Sequence, residues 1–264
     1  TKFLLEQAEI PVPKGDIIRT EEGLRDTVRW IGYPLVVKPV DGNHGRGITA
    51  DINNWEDALE GFKRAKEVSS RVIVERYIVG EDYRLLVIDY KLVAAAKRTP
   101  AGVTGDGKHT IQELIDIVNS DPRRGYGHEK VLTQITVDNM TKTIIKDAGM
   151  TLETVLPEGE WLALKDTANL STGGTSTDVT DIVHPFNVFM AERIARIIGL
   201  DICGIDIMTT DISTPLPETG GAVLEVNAGP GFRMHLAPST GLPRNVAGSV
   251  IDMMYPPGVE SRIP

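Results

Sequence analysis

Two stretches decide the fold: CGIDIM at 203–208 and AVLEVNAGPGFRMH at 222–235. Both are apolar runs typical of buried strands, yet each carries an acidic residue, Asp206 in the first and Glu225 in the second. Because side chains alternate between the two faces of a strand, Glu225 and Asn227 share one face. If the two strands are neighbours, we expect Asp206 to join them there.

Three oxygen donors on one face predict a metal site. Two carboxylates and an amide suit Mg²⁺, which fills its remaining positions with water and substrate phosphate. The alternative is that Asp206 and Glu225 end edge strands and simply face water. The turn at Gly229-Pro230-Gly231 favours the first interpretation, because it brings Arg233 and His235 back toward the same face.

Composition restricts the class of protein. The chain has 264 residues, 41% hydrophobic and 25% charged, which is ordinary for a globular protein with a large core. A net charge of −9 argues against binding to nucleic acid or to an anionic membrane. The single cysteine, Cys203, permits no internal disulfide and is expected to be a buried thiol. No apolar run approaches the roughly 20 residues of a membrane span, so the expected setting is the cytoplasm.

Hydrophobic periodicity and capping residues predict the main elements. Helices are expected at 1–9, 21–31 (with Thr20 as N-cap), 54–68, 111–118, 186–200 and 243–254. Strands are expected at 34–39, 71–77, 83–88, 91–98 and 161–164, besides the two quoted above. The apolar stripe of the helix at 186–200 is expected to begin at Phe186. The segment 120–160 is polar with weak periodicity, which is typical of a lid or substrate loop.

Lys38 ends the apolar run PLVVKP and precedes the glycine-rich loop Asp41–Gly47. A cation at the end of a buried strand needs a partner, and a phosphate group is one candidate. The loop could offer backbone N–H groups to an anion, with His44 and Arg46 adding donors. It lacks the Gly-Lys-Ser/Thr ending of a P-loop. The alternative is a lysine whose ammonium group reaches water.

A third feature is the strand end Glu75-Arg76-Tyr77-Ile78 and the polar residues that follow it. Its backbone, beside the apolar Ile78, can hold the edge of an adenine ring, and Asp82 can accept the ribose hydroxyls. Arg84 is expected to face the cleft and to meet a carboxylate or phosphate. The alternative is that these charges lie on the surface. The loop Ser171–Thr177, rich in hydroxyls and glycine, could likewise bind an anionic substrate.

Taken in this order, the features resemble the ATP-grasp ligases. The resemblance rests on PLVVKP, DGNHGRGI, VIVERYIVGEDYR, CGIDIM and LEVNAGPG. It implies an α+β ATP-grasp fold in which two lobes grip ATP between them, with a long inserted loop region. The implied lobes are 1–75, with a glycine-rich lid loop, and 76–255, with an insertion around 119–166. The resemblance also implies that residues 256–264 link to a following Mur-ligase-like domain. Both ends of the sequence look cut, which fits one module of a longer polypeptide.

The resemblance also implies a role for each site residue. The implied catalytic residues are Lys38, Arg84 and His44. The implied contacts to ATP are Lys38, Gly42, Asn43, His44, Gly45, Arg46, Gly47, Glu75, Arg76, Tyr77, Ile78 and Asp82. The implied substrate contacts are Arg84, Asn169, Ser171, Thr172, Gly173, Gly174, Arg233 and His235. The implied ligands of Mg²⁺ are Asp206, Glu225 and Asn227. A second phosphate-binding lysine, usual in the family just before the first helix, would precede Thr1.

Within the family, the stretches at 97–115, 169–181, 226–248 and 256–264 are similar to ligases that extend a polymer of aspartate and arginine. This similarity implies that ATP activates the C-terminal carboxylate of the polymer as an acyl phosphate, which free aspartate then converts to an amide. The implied partners are the peptide primer, aspartate, other domains of the same polypeptide and further copies in a homo-oligomer. Alternatives are addition of a preformed aspartyl-arginine dipeptide, a D-alanine–D-alanine or glutathione-type ligase, and a nucleotide-binding scaffold without turnover.

Overall fold

Two antiparallel sheets, one of four strands and one of five, organise the chain. The structure is a computed structural model that describes residues 1–41, 47–127, 129–256 and 258. Helices and antiparallel strands mix along the chain, which confirms the predicted α+β class. None of the helices in the described ranges has both the length and the apolarity needed to cross a membrane.

The elements of the described residues have the following bounds. The α-helices are α1 (Lys2–Gln7), α2 (Glu21–Ile31), α3 (Trp55–Lys66), α4 (Ile111–Asn119), α5 (Asn139–Asp147), α6 (Pro185–Ile198), α7 (Leu216–Thr219), α8 (Arg233–Leu236) and α9 (Val246–Met254). The strands are β1 (Gly15–Ile18), β2 (Leu35–Pro39), β3 (Thr49–Ile52), β4 (Val72–Arg76), β5 (Glu81–Ile88), β6 (Lys91–Thr99), β7 (Gly102–Thr104), β8 (Arg124–Gly125), β9 (Leu132–Thr133), β10 (Trp161–Ala163), β11 (Thr175–Asp178), β12 (Ile202–Thr209) and β13 (Ala222–Asn227).

The first sheet has the order β1-β4-β2-β3, and α2 and α3 pack against it. Strand β2 alternates between its two faces, so Leu35 and Val37 are fully buried while Lys38 keeps part of its surface. The helices begin where their capping residues predict. Thr20 accepts a hydrogen bond from the Gly23 N–H at the start of α2, and Asn54 caps α3 in the same way.

The second sheet has the order β11-β6-β5-β12-β13. Helix α6 covers one face, where Ile194, Cys203 and Ile205 are fully buried. Cys203 is the buried thiol that the sequence predicts, and burial raises its pKa to about 11. On the opposite face, Arg84 and Asp206 are neighbours, because the two residues pair directly between β5 and β12.

Helix α1 joins the core beneath the second sheet. Leu5 and Ile10 are buried in the same apolar cluster as Ile205, and the Pro11 carbonyl accepts a hydrogen bond from the Val223 N–H of β13. The start of the chain is therefore tied to the five-stranded sheet. The predicted lobe boundaries 1–75, 76–255 and 256–264 stay predictions. By its packing, α1 belongs with the lobe 76–255.

Between β6 and β11 the chain forms an inserted unit with its own core. Strands β7 and β10 pair, and Ile111, Ile145 and Leu156 are buried together beside them. Helix α4 starts at a capping box, in which Thr110 and Glu113 each accept from the other's backbone N–H. The predicted short helix at 111–118 and the predicted strand at 161–164 are both present, within a residue of their expected ends.

Three expectations about elements were wrong. The segment 120–160 contains α5, which buries only Thr141 and Ile145, so its apolar periodicity is too weak to detect; its N-cap, Asp138, was the available signal. In α6, Met190 and Ile194 of the predicted stripe are buried, but Phe186, where the stripe was expected to begin, is 43% exposed. The last helix also starts later than predicted, at Val246.

Gly80 lies in the connection between the two sheets, and its environment predicts the effect of adding one methyl group. A Cβ at this position would lie 2.4 Å from the Thr209 carbonyl carbon and 2.6 Å from its oxygen. Because these are backbone atoms of β12, they cannot move aside as a flexible side chain can. We expect Gly80→Ala to lower the free energy of unfolding by about 1–3 kcal/mol.

Chemical denaturation measures this prediction, with Gly229→Ala as its control, since nothing lies within 4 Å of a Cβ built on Gly229. Equal stability of the Gly80→Ala protein and the unmodified protein would contradict the packing at this connection.

Candidate active site

A cleft of about 640 Å³ opens between the two sheets. The four-stranded sheet contributes Lys38. The polar face of the five-stranded sheet contributes charged and amide side chains, among them Asp82, Arg84, Arg98, Asp206, Glu225 and Asn227. The structure therefore brings the predicted phosphate contact and all three predicted metal ligands to one cavity.

The register of β12 and β13 explains how the oxygen donors converge. Asp206 pairs directly with Glu225, and Gly204 pairs with Asn227, so the three polar side chains share a face. Asn227 Nδ2 lies 3.5 Å from Asp206 Oδ2. Two carboxylates and an amide oxygen fit Mg²⁺, which completes its octahedron with water and substrate phosphate.

The three side chains do not complete the coordination of Mg²⁺ by themselves, so oxygens of the substrate are needed as well. Within the described ranges, no group of three or more His, Cys, Asp or Glu side chains is arranged to hold a metal ion. A site with only Asp206 and Glu225 as charged ligands is the kind that binds Mg²⁺ together with a nucleotide rather than alone.

Two buried arginines neutralise the carboxylates of the cleft. Asp206 accepts hydrogen bonds from Arg84 Nε and, at 3.0 Å, from Arg84 Nη2, and it lies 3.1 Å from Arg98 Nη2. Arg98 Nη2 also donates to Asp82 Oδ1 at 2.6 Å. Arg84, Arg98 and Asp206 are each less than 10% exposed. Charges this deeply buried require partners, so the four side chains depend on one another.

The pKa values of this group follow from burial and from its charged neighbours. Burial raises the pKa of Asp82; Arg98 opposes this shift and the Asp206 carboxylate adds to it. Burial disfavours the charged form of Arg98, but Asp206 and Asp82 outweigh that effect and raise its pKa. The guanidinium therefore stays charged.

Arg98 is a site residue that the sequence analysis missed. Strands at 83–88 and 91–98 were predicted, and in the observed hairpin of β5 and β6 Asp82 pairs directly with Arg98. An acidic residue opposite a basic one, if the two strands pair as a hairpin, was the signal that could have found it. The same pairing means that Asp82, the predicted ribose contact, already has one oxygen bonded to Arg98.

Glu75 is held by two lysines at the other side of the site. Lys38 Nζ lies 2.7 Å from Glu75 Oε2, and Lys2 Nζ lies 2.7 Å from Oε1. Burial alone would raise the pKa of Glu75, but Lys38 and Lys2 outweigh burial and lower it. Glu75 is thus the counter-ion that positions Lys38, a contact that the sequence did not predict.

The four residues of the predicted adenine segment, Glu75–Ile78, are not among those that line the cleft. Arg76 Nη1 donates to the Ile31 carbonyl of α2, and the Tyr77 N–H donates to the Pro34 carbonyl, both on the first sheet's side. Apolar surface for a flat ring comes from three side chains that the sequence analysis did not single out. They line the cleft: Ile48, Met208 and Leu224. Met208 stands two positions after Asp206, so strand alternation could have found it.

The predicted lid loop is largely undescribed. Gly42, Asn43, His44, Gly45 and Arg46 lie outside the described residues. Gly47, the last residue of the loop, has φ +77°, a conformation that favours glycine.

The predicted substrate contacts separate into two groups. Arg84 and Asn169 line the cleft. Ser171 is exposed, the Thr172 hydroxyl donates to the Asn169 carbonyl, and Gly173 and Gly174 are buried. Arg233 Nη1 donates to the Lys130 carbonyl of the inserted unit at 3.0 Å, and His235 is only 2% exposed.

Comparison with known folds identifies the class of protein. Residues 1–108 match the RimK-like ATP-grasp domain. A solved bifunctional glutathione synthetase from Pasteurella multocida superposes with a TM-score of 0.68 at 31% identity, over 97% of this chain and 35% of that one. A D-alanine–D-alanine ligase from Bacillus anthracis superposes with a TM-score of 0.55 at 15% identity, over 96% and 64%. The chain therefore has the ATP-grasp fold that the sequence predicts.

Curated relatives of the chain include cyanophycin synthetases and a glutathione biosynthesis protein. The chain is 54% identical to the cyanophycin synthetase of Trichormus variabilis over its whole length, and 55% identical to that of Crocosphaera subtropica. The glutathione biosynthesis bifunctional protein GshAB of Enterococcus faecalis is 33% identical over 98% of the chain. The chain spans 29% of the length of the Trichormus protein, 31% of the Crocosphaera protein and 35% of the Enterococcus protein.

Two histidines among the described residues, His235 and His109, have pKa values that are shifted in opposite directions. Both ring nitrogens of His235 are buried without a hydrogen-bond partner in the described structure. Burial and the nearby Arg84 lower its pKa to about 4. His109 is exposed, and its hydrogen bond to Asp106 raises its pKa above 6.5. We expect an NMR titration to find His235 neutral down to about pH 5 while His109 is protonated well before that.

The free energy of unfolding should depend on pH through the same titration of His235. Because the folded-state pKa of His235 is below the unfolded value, protons bind preferentially to the unfolded chain. The contribution of neutral His235 is complete above pH 6.5 and is lost as the pH falls from 6.5 toward 4. An imidazole that titrates near 6.5 would contradict the buried position of His235.

Proposed function

We propose that this domain is the ATP-dependent carboxylate–amine ligase of a polymer-forming enzyme, and that it adds aspartate to the C-terminus of a cyanophycin chain. The observation that carries the proposal is the cleft, where Lys38 faces Asp206, Glu225 and Asn227 across the space between the sheets. Identity of 53–55% to cyanophycin synthetases over the full chain supports the choice of substrate.

ATP is proposed to lie between the sheets. Its adenine would contact the apolar side chains Met208 and Leu224, with the segment Glu75–Ile78 at its edge and Asp82 near the ribose. Lys38 would meet the phosphates. Glu75 already positions the ammonium group of Lys38. A phosphate oxygen of ATP would therefore compete with the Glu75 carboxylate for that ammonium group.

The proposed metal ligands are Asp206, Glu225 and Asn227. ATP-grasp ligases use ATP with a divalent metal, and this donor set favours Mg²⁺. When bound, the ion would neutralise charge on the phosphates of the nucleotide. Arg84 and Arg98, which hold Asp206 in the structure, would then stand beside the transferred phosphoryl group and the acceptor carboxylate.

The proposed reaction has two steps. An oxygen of the polymer's C-terminal carboxylate attacks the γ-phosphorus of ATP, and ADP leaves. The amine of aspartate then attacks the acyl carbon of the acyl phosphate, and phosphate leaves as the amide forms. Arg84 and Lys38 would offset the repulsion between the two anionic reactants, so positioning and charge neutralisation supply most of the catalysis. No covalent bond to the protein is needed.

Other parts of the proposal concern the longer protein. We propose that residues 256–264 lead to a Mur-ligase-like domain, that the polymer carries both aspartate and arginine, and that the enzyme is a homo-oligomer. The lobes would be 1–75 and 76–255. The similarity to GshAB at 33% identity favours a glutathione-type ligase as the second candidate.

Substrate-dependent release of ADP distinguishes these candidates. We expect the protein to release ADP when it is given Mg²⁺–ATP, aspartate and a β-aspartyl-arginine primer. Release with D-alanine alone, or with γ-glutamylcysteine and glycine, would overturn the polymer assignment. Dependence on a preformed aspartyl-arginine dipeptide instead of aspartate would correct the unit that is added.

Glu225→Gln is the cleanest test of the metal ligands. Glu225 is exposed in the cleft, so its substitution should leave folding unchanged. We expect primer-dependent ADP release to fall at least about 100-fold, because several kcal/mol of charge stabilisation depends on the ion. The matched control is Glu60→Gln, an exposed glutamate on α3 paired with Arg64, which should retain full activity. Normal turnover in Glu225→Gln would exclude it as a ligand.

A further inference from the structure

One carboxylate in the cleft has no partner and no place in the proposed reaction. Among the described residues, five carboxylates line the cleft: Glu81, Asp82, Asp166, Asp206 and Glu225. Glu81 pairs with Lys97 at 2.9 Å, and Asp82 and Asp206 pair with arginines. Glu225 is a proposed metal ligand. Asp166 forms no hydrogen bond and no ion pair with any residue that the structure describes.

The neighbours of Asp166 leave it without a bonded counter-ion. Lys165, the adjacent residue, is buried; its Nζ lies 2.6 Å from Asp138 Oδ2 and donates to the Thr141 hydroxyl at 2.9 Å. The walls of the cleft reduce the contact of Asp166 with water, which raises the pKa of its carboxyl. Lys165 opposes this shift, and the Asp147 carboxylate adds to it. A carboxylate in these surroundings is stabilised when a cation binds beside it.

Asp166 lies on the wall of the cleft that the inserted unit forms. It is exposed there, two residues after Leu164, which belongs to the core of that unit. Arg84 acts on the pKa of His235, but it is not among the charges that act on the pKa of Asp166. The Asp166 carboxylate is therefore set back from Arg84 and from Asp206, where the proposed reaction takes place.

This position decides between the two cationic groups that the substrates bring. The amine of the incoming aspartate must reach the acyl phosphate beside Arg84. The other group is the guanidinium of the acceptor. In a β-aspartyl-arginine unit the arginine is joined through the aspartate side chain, which leaves its guanidinium free, and an extended arginine reaches about 12 Å from the reacting carboxyl. The guanidinium therefore fits a carboxylate set back from the reaction, and the amine does not.

We propose that Asp166 binds the guanidinium of the arginine on the last unit of the acceptor. A carboxylate and a guanidinium form two parallel N–H···O bonds, a geometry that an ammonium group does not match. Such a contact would hold the reacting end in the cleft, and it would select an acceptor that carries arginine over bare polyaspartate. The proposal deepens the proposed function and rests on it for the kind of acceptor.

Equilibrium binding of two labelled primers, without ATP, tests the contact. Both are short β-aspartyl-arginine peptides with fluorescein at the amino end. In one of them the last arginine is replaced by citrulline, whose neutral ureido group has nearly the same shape as guanidinium. We expect Asp166→Asn to weaken binding of the arginine primer about 5- to 10-fold, the effect of losing a charge-assisted hydrogen bond in a cleft that admits water. Binding of the citrulline primer should change little, because it lacks the charge.

Asp147→Asn is the matched control for loss of one negative charge. Asp147 is an exposed aspartate at the end of α5 in the same unit, and it is not among the residues that line the cleft. This variant should bind both primers as the unmodified protein does. Asp166→Glu keeps the charge and should retain most of the preference for the arginine primer. Thermal unfolding checks that each variant is folded.

Four results would overturn the proposal. The first is that the unmodified protein does not prefer the arginine primer to the citrulline primer. The second is unchanged affinity for the arginine primer in folded Asp166→Asn, and the third is an equal loss for both primers in that variant. The fourth is an equal loss in Asp147→Asn. Absence of primer-dependent ADP release from the unmodified protein would instead refute the proposed function, while the comparison of the two primers would still decide the contact.

Discussion

The ion-pair network of Arg84, Arg98, Asp82 and Asp206 is the constraint on which the cleft depends. These charges lie on the inner face of the five-stranded sheet, where removing one member would leave a buried partner without compensation. The network also leaves Asp206 with two alternative kinds of partner, arginines or a cation. In the structure arginines neutralise its charge, and its oxygens face the same space as Glu225. A cation that took Asp206 would free the Arg84 guanidinium for anionic substrates, while Arg98 would stay bonded to Asp82.

The architecture makes this network rigid. Asp206 belongs to β12, the strand whose other face carries Cys203 and Ile205 in the core beneath α6. Because period-two alternation fixes both faces at once, the polar residues cannot shift register without exposing the apolar ones. The four-stranded sheet then needs to contribute only one cation, Lys38, which Glu75 holds at the opposite side. In the proposed site, the four-stranded sheet would supply the phosphate contact and the five-stranded sheet the metal ligands.

Much of this was predictable from local signals. The capping residue Thr20 and the apolar periodicity of 54–68 located helices, and acidic residues in apolar strands located the donor set. What escaped prediction depends on contacts distant in sequence. Arg98 joins the site only through the register of the β5–β6 hairpin, and Lys2 only through the packing of α1. Leu224 could be recognised only from its position in the cleft. Helix α5 escaped because it buries few side chains. The loop at Ser171–Gly174 stays a predicted substrate contact, although its two glycines are buried.

The central claim is that Asp206, Glu225 and Asn227 hold a divalent ion against the phosphates of a nucleotide. A crystal structure of the protein with Mg²⁺ and a non-hydrolysable ATP analogue tests it most directly. The account predicts an ion about 2.0–2.1 Å from side-chain oxygens of these residues, with Lys38 on the phosphates and Arg84 no longer bonded to Asp206 through both nitrogens. An ion bound elsewhere, with the Arg84–Asp206 pair intact, would contradict it.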